Sequence, residues 1–178
     1  MVATEQSGFA PAIQRLLILG SPGAGKSTLA RKLATLTGLP LVHLDRLYWH
    51  SGWVESSDEE WTAQLTIELA KPCWIMDGNY NRTLPMRLAR ADAVIVLDYS
   101  TALCLARALQ RILFRRWQSR HDLPHDCPEH FDAEFLRYIV RFRRDQGPSL
   151  QTALACFPGK KLILTSPSQI SKAYRFLK

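Results

Sequence analysis

Short apolar runs alternate with longer amphipathic stretches along most of this chain. Residues 16–19, 41–44, 73–77, 94–97 and 161–165 are the apolar runs, each short enough for a strand buried on both faces. Leucines at 29, 33 and 36 then recur at helical spacing, and the turn Thr37-Gly38-Leu39-Pro40 ends that element. Ser57, with Glu60 three residues on, predicts a capped helix to about Lys71 that Pro72 closes. A stripe through Leu103, Leu105, Leu109, Ile112 and Leu113 predicts a long helix over 100–118. Pro124 and Pro128 interrupt the pattern, helical spacing resumes over 131–142, and Ser166-Pro167 opens a closing helix over 169–177. Residues 1–14 show no period and read as a flexible tail, so 15–178 is predicted to be a single α/β domain.

The stretch GSPGAGKST, at 20–28, lies between the first run and the first helix. Strand, glycine-rich turn and helix is the setting a phosphate-binding loop requires. Gly20, Gly23 and Gly25 permit positive φ, so the N–H groups of Ser21, Pro22's neighbours, Ala24, Lys26, Ser27 and Thr28 can line a concave anion site. Lys26 supplies charge at the β- and γ-phosphates, and the Ser27 hydroxyl supplies a Mg²⁺ ligand. These nine residues therefore predict ATP and Mg²⁺ binding in a three-layer P-loop NTPase fold. That fold has a five-stranded parallel sheet, helices on both faces and a helical lid.

Two further carboxylates end predicted strands. Asp45 follows residues 41–44 at the edge that lines the ligand crevice of open α/β sheets. Asp77 ends residues 73–76, and such a carboxylate beside a phosphate loop holds Mg²⁺ or its water. Asp98 is a rival for that role, but Gly78-Asn79-Tyr80-Asn81-Arg82 favours Asp77: the glycine permits close approach of a ligand and Arg82 adds charge for a second anion. Tyr48, Trp49 and Trp53, around Gly52, either stack a base or cap the core.

The formal net charge of +7 suits both a polyphosphate clamp and a nucleic-acid binder. Nine arginines and no lysine occupy 107–144, with Arg107, Arg111 and Arg115 at intervals of four on one helix face. Helix, polar loop and helix over about 115–144 predict a mobile lid. His121, His125, Cys127 and His130 fit no standard zinc spacing, and four scattered cysteines predict free thiols. The apolar runs fall far below the ~18 residues of a membrane span, and 1–14 lacks a signal-peptide pattern, which predicts a cytoplasmic protein without membrane contact.

Taken together, GSPGAGKST, DGNYNRTLP at 77–85 and RILFRR at 111–116 resemble the adenylate kinase-like branch of P-loop small-molecule kinases. HLDRLYW at 43–49 and DGNY at 77–80 are similar to its bacterial DNA topology modulation (FlaR-related) group. The resemblance implies ATP on the loop, Asp77 organising Mg²⁺, Arg82 meeting the acceptor, and Arg111 and Arg115 closing on the transferring phosphoryl group. A hydroxyl acceptor would use Asp45 as base, whereas a phosphate acceptor would use Arg82 and Arg87. Both sets are present, and a nucleoside or nucleotide is the expected small-molecule acceptor. The alternative is a nucleotide-switched nucleic-acid-binding protein, disfavoured because no nucleic-acid-binding signature accompanies the charge.

Overall fold

Five strands of one sheet carry the apolar runs, and the helices between them cover both faces. The computed structural model describes residues 13–114, 127 and 131–177. In chain order its elements begin with β1 (Arg15–Gly20), α1 (Lys26–Thr37), β2 (Leu41–His43) and α2 (Leu44–Tyr48). The two-residue strands β3 (Trp49–His50) and β4 (Val54–Glu55) come next, then α3 (Asp58–Ala70), β5 (Trp74–Asp77), α4 (Leu84–Leu88) and β6 (Ala93–Leu97). After them come α5 (Thr101–Phe114), α6 (Ala133–Asp145), α7 (Gly147–Cys156), β7 (Lys160–Leu164) and α8 (Ile170–Phe176).

The sheet is parallel throughout, in the order β2-β5-β1-β6-β7. Its period of two sorts the apolar runs between two cores. Leu16, Ile18, Ile75, Ile95 and Leu97 face Leu29 and Leu33 of α1, Cys104 and Ala108 of α5, Ile139 of α6 and Ala173 of α8. Leu17, Leu19, Trp74, Met76, Val94 and Val96 face Trp61 and Leu65 of α3, Leu84 and Leu88 of α4, and Leu154 of α7. Because both faces are filled, the open ground is the carboxyl edge of the sheet. The phosphate loop, Asp77 and Asp98 all lie at that edge.

Local chemistry explains where the elements begin. Ser57 caps α3 as predicted, its Oγ accepting the Glu60 N–H at 3.1 Å. The reciprocal half of a capping box is absent, because the Glu60 carboxylate instead accepts from Gln64 and meets His50. Asp132 caps α6 through the Glu134 N–H at 2.8 Å. The pattern of apolar positions did not anticipate α7, where Gly147-Pro148 reads as a breaker. Proline is harmless in a helix's first turn, where its missing N–H has no intrahelical acceptor.

Three boundaries differ from the sequence expectation. Ile13 and Gln14, assigned to the tail, are part of the folded body just before β1: Ile13 is buried in the core, and the Gln14 carbonyl accepts the Trp74 N–H at 2.9 Å. Asp45, expected at the carboxyl end of the second strand, lies in the first turn of α2, which follows β2 directly. The aromatic stretch after it is a short antiparallel hairpin, β3 with β4, rather than an open turn. Half of the predicted lid, residues 115–126 and 128–130, lies outside the described residues, as does the rest of the tail. No described helix is long and apolar enough to cross a membrane.

Candidate active site

The loop from Gly20 to Gly25 turns back on the sheet with positive φ at its three glycines, 141°, 81° and 97°. Gly23 has the strictest requirement. A Cβ there would lie 2.2 Å from the Cys104 carbonyl oxygen of α5, so the loop and that helix touch backbone to backbone. α1 starts at Lys26 without a side-chain cap, which leaves its first-turn N–H groups available to an anion. The Lys26 ammonium bends over the loop and donates to the Gly20 carbonyl at 2.9 Å and the Ser21 carbonyl at 3.2 Å. Pro22 is half-buried, Ala24 is buried and Thr28 is exposed.

Asp77 stands one strand away from the loop and is nearly inaccessible, with 4% of its surface exposed. Its Oδ2 accepts the Ser27 hydroxyl at 2.7 Å. Its Oδ1 meets His43 Nδ1 at 2.5 Å, since β2 and β5 bring residues 43 and 77 into register. Ser27 and Asp77, both hard oxygen donors, thus adjoin each other at the mouth of the phosphate loop. They fit a Mg²⁺ ion, which prefers one or two protein oxygens and fills its octahedron with water and phosphate. Asp98, the rival carboxylate, is instead paired with Arg143 of α6 at 3.3 Å.

On the other side of Asp77 the structure rearranges the expected roles. A Cβ on Gly78 would fall 2.7 Å from Leu44 Cβ, so this glycine makes room for α2 rather than for a ligand. Arg87, expected to be free for a phosphate, is fully buried and donates to three successive carbonyls. These are Gly78 at 3.1 Å, Asn79, and Tyr80 at 2.9 Å. Burial pulls its pKa down to about 9, which still leaves it charged at neutral pH. Arg82 is two-thirds exposed and forms an ion pair with Asp58 at the start of α3. Neither arginine is placed as the sequence reading had it.

The loop held by Arg87 reaches three neighbours. Asn79 caps both backbone groups of Gly20, accepting its N–H at 3.1 Å and donating to its carbonyl at 2.8 Å. Tyr80, in left-handed backbone at φ 39°, donates its hydroxyl to Asp45 at 2.9 Å. Burial first, and then the Asp45 charge, push the Tyr80 phenol far above its ordinary pKa, so it remains a donor. Its ring packs between Tyr48 at 4.8 Å and Trp61 at 4.9 Å, so Tyr48 and Tyr80 cap the core. Asn81 donates to Gln146, just before α7.

Among the described helix arginines, Arg107 hydrogen-bonds the phosphate loop, and Arg143 of α6 lines the same hollow as Gly20 and Ser21. The Arg107 Nη1 donates to the Ala24 carbonyl at 3.3 Å, and its guanidinium lies 5.9 Å from the Tyr99 ring centre. Arg111, one turn on, lies over the Phe135 ring in the seam between α5 and α6, 6.0 Å from its centre, and Arg115 lies outside the described residues. His43, Asn79 and Arg107 were therefore missed as site residues. Intervals of four did put Arg107 on the right face, but only the contact of Gly23 with α5 selects it over Arg111. His121, His125 and His130, whose spacing did not suit zinc, lie outside the described residues; buried Cys127 donates its thiol to the His50 carbonyl at 3.3 Å. No group of three metal-ligating side chains occurs among the described residues.

A phosphate loop after the central strand of this parallel sheet, with a serine and a carboxylate at its mouth, defines a P-loop NTPase. A family model described as the ATPase family associated with various cellular activities (AAA) matches residues 16–108, and the chain belongs to that family. Among solved structures it is similar to shikimate kinase from Acinetobacter baumannii in complex with shikimate, at 16% identity and a TM-score of 0.57, covering 94% of this chain and 92% of that one. Shikimate kinase from Bacteroides thetaiotaomicron is similar at 16% identity and a TM-score of 0.54, covering 92% and 95%. At such identities the likeness is one of fold. No curated protein matches in sequence.

Proposed function

We propose that this protein transfers the γ-phosphoryl group of Mg·ATP to a hydroxyl of a small, uncharged acceptor. The observation that carries the reading is the commitment of both acceptor-side arginines elsewhere while Asp45 remains at the sheet's carboxyl edge. Arg87 is enclosed by carbonyls and Arg82 is paired with Asp58. A phosphate acceptor needs free guanidinium groups and finds neither of these. A hydroxyl acceptor needs a base, and Asp45, half-buried and oriented by Tyr80, supplies one. A nucleoside remains within this class of acceptor, and so does a neutral cyclic polyol.

In this reading the residues of 20–28 cradle the triphosphate, and Lys26 exchanges its carbonyl partners for β- and γ-phosphate oxygens. Ser27 and Asp77 hold Mg²⁺, which neutralises charge on those oxygens when bound. Arg107 takes the place first given to Arg111, because it already touches the loop. Asp45 accepts the proton of the acceptor hydroxyl as that oxygen attacks phosphorus. The likeness of HLDRLYW and DGNY to the topology modulation group fits the same picture, since His43, Asp45, Asp77 and Tyr80 from those two segments meet at the site.

The test is ADP release from Mg·ATP across nucleosides, nucleoside monophosphates and neutral polyols, with Asp45→Asn as comparison. Stimulation by a hydroxyl compound, lost in Asp45→Asn, is the expected result. Stimulation by monophosphates alone, or an unchanged rate in Asp45→Asn, overturns the reading.

A further inference from the structure

We infer that His43 sets the metal preference of this site by occupying one oxygen of Asp77. The inference rests on the proposed Mg²⁺ role of Ser27 and Asp77. A carboxylate can only accept hydrogen bonds, so whatever the state of the ring, the proton between His43 and Asp77 resides on Nδ1. At 2.5 Å that bond engages Oδ1, and the Ser27 hydroxyl lies on Oδ2 at 2.7 Å. The His43 side chain is only 10% exposed and Asp77 4%, so neither side chain has room to turn away. Asp77 is therefore held with Oδ2 on the side of Ser27, while its bond to His43 weakens Oδ1 as a donor to a cation.

That restriction separates two cations of equal charge. Mg²⁺ accepts single carboxylate oxygens at short, octahedral distances and retains several waters. Ca²⁺ takes six to eight oxygens and gains from carboxylates that bind through both. With Oδ1 polarised and held in place by His43, the bidentate mode is disfavoured, and the site favours the smaller ion. Hydrogen-bonded partners behind a ligand commonly alter metal affinity by about 10–100-fold. His43 is thus a positioning residue: it acts on the metal through Asp77.

The prediction is read from ATP binding by calorimetry on the whole protein, with Mg²⁺, with Ca²⁺ or with chelator, and needs no acceptor. His43→Ala frees Oδ1 and is expected to lower the ratio of Mg²⁺-supported to Ca²⁺-supported ATP affinity by about tenfold or more. His43→Asn places an amide N–H where Nδ1 stood and is expected to retain most of that ratio; it also serves if the alanine variant does not fold. A role confined to packing would weaken binding with both cations alike and leave the ratio unchanged. An unchanged ratio in His43→Ala, or an equal fall in both variants, overturns the inference while Asp77→Asn still abolishes the metal's effect. If Asp77→Asn leaves that effect intact, the metal assignment itself is wrong and this inference falls with it.

Discussion

The two sides of Asp77 are built by different means. On the nucleotide side, the loop at 20–25 takes its shape from its own glycines and from the helix it opens, so a short motif encodes most of the geometry. On the side proposed for the acceptor, residues 78–80 have a comparable glycine and a left-handed tyrosine, yet their shape is imposed from Arg87 in α4. A local motif can be read directly; a loop held by a distant buried cation cannot. Asn79 joins the two sides by capping Gly20, so a change in the acceptor loop is transmitted to the start of the phosphate loop.

The largest effect expected is on the nucleotide side. Lys26→Ala should leave the fold intact, because the side chain is half-buried and donates to loop carbonyls rather than packing in a core, while turnover falls by roughly 10²–10³-fold through loss of charge at the transferring group. Thermal unfolding and ADP release on the same preparation separate the two. The opposite pattern is expected for Arg87→Met. That change leaves three carbonyls without their donor in a buried place, at a cost of about 3 kcal/mol or more in denaturant unfolding. A stable Arg87→Met protein with normal ATP binding would erase the distinction between the two sides.

The same contrast accounts for what was legible in the sequence. The apolar runs of β1, β5 and β6 gave the centre of the parallel sheet because strands buried on both faces need no alternation, whereas the edge strand β7 leaves Ile163 exposed. Ser57 gave the start of α3 because a cap acts within three residues. Arg82 and Arg87 were misread because an arginine's partner is chosen by the folded chain: Asp58 lies 24 residues from Arg82, and the Arg87 carbonyls close only when 78–87 folds back. His43 was hidden for a related reason. Only the register of β2 on β5 brings it against Asp77.

Tyr80→Phe refines the comparison on a smaller scale. The ring between Tyr48 and Trp61 is retained, while the hydroxyl that donates to Asp45 and meets Trp49 is lost. A hydrogen bond to a charged group contributes about 1.5–3 kcal/mol, so kcat with the acceptor should fall by roughly tenfold or more while ATP affinity is unchanged. If ATP affinity falls by the same factor, the acceptor loop and the nucleotide loop act as one unit and the division between them is false.

The smallest effect is expected at the opposite edge of the sheet, where neither loop reaches. Asp92 accepts from the Gln14 and Arg15 N–H groups at 3.1 and 2.8 Å and pairs with the Arg15 guanidinium at 2.8 Å. Burial pushes its carboxyl pKa up, but these bonds outweigh burial and hold it below the usual carboxylate range. A carboxylate whose folded pKa is depressed stabilises the fold above its unfolded value and loses that contribution as pH falls through the folded one. Partial exposure limits the amount to about 1 kcal/mol or less. Asp92→Asn should therefore be slightly less stable than the parent protein at neutral pH, with the gap closing in acid, and ATP binding should be unaffected throughout. Loss of ATP binding in this variant would mean that the amino edge of the sheet governs the site as strongly as Arg87 does.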